Sequence, residues 1–151
     1  MIWYEDMVVG RIDRYGSKRV EREEVLDFAR KYDPQPFHLD DAAAAANPLF
    51  RRLPASGWHT AAMGMRMTVD HWESLGGRSI LGGAGIDELR WLAPVFPGDV
   101  LRCEGQVLEA RISRSKPDIG IVRTKLTIFN QDDAAVMSQV SNIIVQRRPP
   151  A

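Results

Sequence analysis

Residues 57–73 read as a helix with few polar faces. Ala61, Ala62, Met63, Gly64, Met65 and Met67 put small and flexible apolar side chains on most sides of it. A helix that is apolar nearly all round must be buried nearly all round. In a chain of 151 residues that requirement excludes most layouts, because something large has to wrap the helix. Ser56, immediately before it, has the side chain of an N-cap.

The rest of the sequence supplies the wrapping. After residue 78, four stretches are rich in β-branched residues: Ile86–Pro94, Asp99–Ser113, Ile119–Gln131 and Ala134–Arg147. Several alternate, as in residues 122–128. Pro97-Gly98-Asp99, Ser115-Lys116-Pro117-Asp118 and Gln131-Asp132-Asp133 are the turns between them. Upstream, residues 17–20 form a short strand candidate. Glu21 to Tyr32 reads as a helix, with an apolar stripe of Val25, Leu26, Phe28 and Ala29 and acids in its first turn. Asp40 to Ala46 reads as a second, shorter helix, with Asp40 or Asp41 near its N-terminus. Helices followed by a meander of long strands argue for an α+β chain with an antiparallel sheet. One architecture fits: a curved antiparallel sheet wrapped around a central buried helix, the hotdog fold. Such a sheet leaves an edge and a partly apolar surface for a second copy to cover, so a homodimer is expected.

No Gly/Ser-rich or Pro-rich linker divides residues 1–151, so one domain is expected. Twenty basic residues balance twenty acidic ones. That balance gives no electrostatic footprint for nucleic acid or an anionic membrane. The uncharged stretch from Leu53 to Met65 is too short to span a bilayer. The N-terminus lacks a basic region followed by an apolar run, and Cys103 has no second cysteine to pair with. A cytoplasmic location is expected.

The chemistry concentrates in Tyr32-Asp33-Pro34-Gln35-Pro36-Phe37-His38. An acid and an imidazole lie five residues apart, in a segment that its two prolines are expected to keep from being helical. A carboxylate and a group titrating near neutrality suit proton transfer. Ala55-Ser56-Gly57-Trp58-His59 then opens the apolar helix, and a helix start offers unpaired N–H groups to an anion. His59 is read as core or pocket lining, Trp58 and Trp91 as packing or pocket wall, and His71 as surface. The three histidines lack zinc-ligand spacing, so no metal site is expected. Arg111, Arg114 and Lys116 form one basic cluster and Arg51-Arg52 another; either is solvated charge or a phosphate contact.

Asp33 through His38, with Leu39-Asp40, resembles the acidic residue and Asn-Pro-hydrophobic-His element of the MaoC-like acyl dehydratases, the group that contains (R)-specific enoyl-CoA hydratases. Ala55-Ser56-Gly57-Trp58-His59-Thr60 resembles that family's glycine-started central helix. Asp87-Glu88-Leu89-Arg90-Trp91, Pro94-Val95 and Pro97-Gly98-Asp99 resemble the strand and turn that follow. The resemblance implies a hotdog dimer, or dimer of dimers, that hydrates trans-2-enoyl-CoA reversibly to (R)-3-hydroxyacyl-CoA. Asp33 and His38 become the catalytic pair, and the Gly57 N–H polarises the thioester carbonyl. Ser56, Trp58, His59, Arg114 and Lys116 are the candidate substrate contacts beside them. Coenzyme A enters as part of the acyl-CoA substrate, and no other cofactor is implied. The methionines of the helix are expected to be core or to shape an acyl tunnel. Three positions depart from the pattern: Gln35 replaces an asparagine, Ser56 a histidine, and Met65 a serine near the aspartate. A thioesterase using Asp70 or Glu73, and a non-catalytic acyl-thioester-binding module, are the alternatives.

Overall fold

The computed structural model describes residues 1–150. A 3₁₀ turn at Tyr4–Asp6 is followed by β1 (Ile12–Arg19), α1 (Arg22–Tyr32), α2 (Pro36–Leu39), α3 (Asp41–Ala46) and α4 (Gly57–Ser74). The remaining strands are β2 (Ile80–Trp91), β3 (Val100–Ile112), β4 (Ile119–Phe129) and β5 (Ala135–Gln146). All five strands join one antiparallel sheet in the order β1-β3-β4-β5-β2. The sheet is not closed, and α4 packs on its inner face, which makes this the expected hotdog fold. No helix among the described residues is long and apolar enough to cross a membrane.

Alternation sets the inner face. Leu101, Cys103 and Val107 of β3 are buried, as are Val122 and Ile128 of β4. Met63 and Met67 of α4 join Leu101, Cys103, Ile128, Val136 and Met137 in the main core. The helix lies very close to the sheet. A Cβ added to Gly64 would come within 2.5 Å of the Ile128 side chain, so the absence of a side chain there sets the spacing.

Four expectations need correction. The helix α4 is not buried all round within one chain: Met65 is 47% exposed and Trp58 57% exposed. The first strand extends back to Ile12, across an irregularity between Tyr15 and Lys18 where Gly16 takes φ 81°. The segment after Pro34 is partly helical, because Pro36 takes the first position of α2, where its missing N–H costs nothing. β2 begins at Ile80 rather than Ile86. Its glycines at 82, 83 and 85 sit in a strand whose pairing with β5 shifts register three times. Glu88, at φ 53°, lies in the last of these shifts. Such bulges bend a strand and deepen its twist.

Candidate active site

Pro34 stops α1, leaving Asp33 as its C-cap at φ −149°, ψ 67°. The Asp33 N–H still donates to the Ala29 carbonyl, and the Gln35 N–H donates to the Asp33 carbonyl at 2.8 Å. α2 then turns the chain back, so His38 faces Asp33 with Nε2 3.4 Å from Oδ2. His38 is 5% exposed and lies against the ring of Phe37.

Three hydrogen bonds orient this pair. His38 Nδ1 lies 3.0 Å from the Pro54 carbonyl oxygen. A carbonyl only accepts, so Nδ1 carries the proton and Nε2 of the neutral ring is left as a base facing Asp33. Asp33 Oδ2 accepts from the Ser56 hydroxyl at 2.7 Å, and Oδ1 accepts from the Gln35 amide at 2.8 Å. Burial pushes the Asp33 carboxyl up, but the bonds from Ser56 and Gln35 outweigh it, with a smaller contribution from His38 whenever that ring is protonated, and hold the group below the usual carboxylate range.

Ser56 ties this pair to the start of α4. Its hydroxyl oxygen also accepts from the Trp58 N–H at 3.2 Å, as an N-cap does. The next N–H in line, that of Gly57, has no acceptor among the described residues. Gly57 also lacks room for a side chain, since an added Cβ would stand 2.5 Å from the Trp91 ring. Trp58 and Trp91 meet edge to face at 5.0 Å beside it. Asp33, His38, Gly57, Trp58, Trp91 and Val95 line one cavity of about 550 Å³. The cavity holds a carboxylate, a base and a free amide donor, the set needed for moving a proton next to a polarised carbonyl.

The structure thus brings Asp33, His38, Ser56, Gly57 and Trp58 together. It does not bring His59 with them. Two residues beyond Gly57 is about 200° around the helix, and His59 stacks instead on Phe28 of α1 at 4.7 Å. Arg114 and Lys116 are exposed on the β3–β4 turn. That turn lies at the far end of β3 from Val100, with about 40 Å of strand contour between, so neither residue reaches this cavity in its own chain. Asp70 is bound by Arg66 on an exposed helix face and Glu73 is exposed, so neither serves the cavity as a carboxylate. Met65 is not among the residues lining this cavity, and the hydroxyl bound to Asp33 is that of Ser56. His71, read as surface, has a side chain only 15% exposed and stacks on Tyr15 at 4.3 Å. Sequence reading missed Pro54, whose contribution is a backbone carbonyl with no residue signature. It also missed Gln35 as a direct partner of Asp33, although the departure at that position marked the residue.

Comparison with known proteins bears on the family and the fold. The MaoC like domain family matches residues 9–128. The crystal structure of a MaoC-like dehydratase from Rhodospirillum rubrum is 38% identical, with TM-score 0.88, covering 99% of this chain and 100% of that one. An (R)-hydratase from A. caviae involved in PHA biosynthesis is 29% identical, with TM-score 0.67 and coverage of 94% and 97%. A mesaconyl-CoA hydratase from Cereibacter sphaeroides is 40% identical over 67 residues, which are 44% of this chain and 19% of that protein. With the fold, the Asp33–His38 segment and the glycine-started helix all in place, the chain belongs to the MaoC-like dehydratase family.

Proposed function

We propose that the protein adds water reversibly across a trans-2-enoyl-CoA thioester to give the (R)-3-hydroxyacyl-CoA. The observation that carries this reading is His38 Nε2, 3.4 Å from Asp33 and in one cavity with the unpartnered Gly57 N–H. In the hydration direction, Nε2 of His38 takes a proton from a water held against the Asp33 carboxylate. The hydroxide equivalent attacks C3 while the Gly57 N–H and the positive end of α4 receive the charge growing on the thioester oxygen. The imidazolium, paired with Asp33, returns its proton to C2, so one water is consumed and the pair ends as it began. Acid–base help of this kind is worth roughly 10²–10⁴ in rate, and an oxyanion donor about 3–4 kcal/mol.

The chemistry asks for no metal or redox group, and coenzyme A enters only with the substrate. The similarity to (R)-hydratases and to a CoA-thioester hydratase supports the reaction class. A homodimer or dimer of dimers, formed in the cytoplasm, completes the reading. In such an assembly Arg114 and Lys116 meet coenzyme A phosphates from a neighbouring protomer.

The test is loss of the conjugated enoyl-thioester ultraviolet absorbance on mixing with a short enoyl-CoA. Asp33→Asn and His38→Gln are each expected to cut turnover by about 10² or more without unfolding the protein, checked by circular dichroism. Wild-type rates in either variant would overturn the assignment.

A further inference from the structure

A second cavity, of about 430 Å³, lies between the C-terminal half of α4 and the inner face of the sheet. It shares no lining residue with the cavity around Asp33 and His38. Met65, Ile80, Val107, Leu126 and Ile143 give it apolar walls. Its size falls within the roughly 300–1,000 Å³ of small-molecule sites, which are typically apolar with a few polar anchors. Gly82, Gly83 and Gly85 lie on its wall and contribute no side chain to it.

One end of this apolar space carries charge. Arg78 lines it, with a side chain only 9% exposed. The guanidinium lies over the Trp72 ring at 5.2 Å, and its buried Nε has no hydrogen-bond partner. Asp13 is the acid beside it, 3.6 Å from an Arg78 nitrogen, but the other Asp13 oxygen is held by Arg11 at 3.0 Å. His71 Nε2, 3.9 Å from Asp13, is also without a hydrogen-bond partner. Asp13 also lines the cavity, but its carboxylate is divided between Arg78 and the more exposed Arg11, which leaves the Arg78 guanidinium incompletely paired. A buried donor without a partner is costly, and an arginine fork matches a carboxylate in shape and charge.

We propose that this cavity binds an aliphatic chain ending in a carboxylate, the chain lying on the apolar walls and the carboxylate meeting Arg78. The chemistry is shared by a free medium-chain acid and by an acyl thioester with a carboxylate at its far end. The second source rests on the hydratase reading; the first does not.

Octanoate and octan-1-ol are the probes, titrated calorimetrically into the full-length protein. Octanoate is expected to bind wild type, and Arg78→Met to weaken it about tenfold or more, with octan-1-ol binding unchanged. Thr124, on the cavity wall with no side-chain hydrogen bond among the described residues, provides a second variant. Thr124→Trp fills the space and is expected to abolish binding of both probes, so a folding failure of Arg78→Met would not spare the proposal. A parallel assay compares turnover of enoyl-CoA substrates of equal length with and without a terminal carboxylate. Selective loss of kcat/KM for the carboxylate substrate in Arg78→Met assigns the ligand to the thioester; weakened octanoate binding without that loss assigns it to a free acid. Equal octanoate binding by wild type and Arg78→Met, with no change in carboxylate preference, overturns the proposal. Absence of all hydratase turnover would leave the octanoate result standing.

Discussion

Ser56 has one hydroxyl and two partners: it donates to Asp33 at 2.7 Å and accepts from the Trp58 N–H at 3.2 Å. Removing it acts on stability and on chemistry at once. Ser56→Ala loses a helix cap, at about 0.5–2 kcal/mol, and one of the bonds that hold the Asp33 carboxyl low. The acid limb of the pH–rate profile is expected to move to higher pH, and the urea midpoint to fall. An unmoved acid limb with a lowered midpoint would reduce Ser56 to a cap. His59 makes a separate prediction. Burial lowers its pKa from the ordinary 6.5, with Glu24 opposing and Lys18 adding to the effect. The unfolded chain then binds the proton first as pH falls, so stability is full above about 6.5 and declines below it. His59→Phe should flatten the fall in melting temperature between pH 7 and 5.5. The flattening is partial, because burial lowers His71 in the same direction. An unchanged slope would remove His59 from the account.

At the scale of elements, the contact between α4 and β4 is set by what Gly64 lacks. Gly64→Leu forces the helix off Ile128 and is expected to destabilise by about 1–3 kcal/mol, measured by urea unfolding. A midpoint equal to wild type would mean that the helix and sheet are not packed this closely. The apolar run of α4 and the alternation of β3 to β5 were readable because each is a long pattern with a single period. β2 was half hidden, since Gly82, Gly83 and Gly85 carry turn chemistry although the strand continues through them. α2 was hidden for a related reason. Proline disfavours a helix interior but suits a helix start, and only the three-dimensional path decides between them. The Asp33–His38 pair was legible as residue types in a spacing. The bond to Pro54 was not, because any residue except by accident of position offers the same carbonyl.

For the whole molecule, β1 and β2 are the free edges of the sheet. Leu81 and Ile86 of β2 are 59% and 57% exposed in the single chain, and Trp91 and Leu92 continue the strip. Exposed apolar edges invite pairing with another strand. Ile86→Lys is expected to shift the protein toward monomer in sedimentation velocity, and an unaltered sedimentation coefficient would place the interface elsewhere. The site itself is mounted differently from this exposed strip. The carbonyl that fixes the His38 proton belongs to Pro54, three residues before the Gly57 amide. The Ala55 N–H between them is anchored to the Val95 carbonyl at 2.8 Å. Base and amide donor thus ride on one short length of chain. When the sheet flexes, both are carried together, and the tolerance between them is held by covalent geometry rather than by the packing of distant parts.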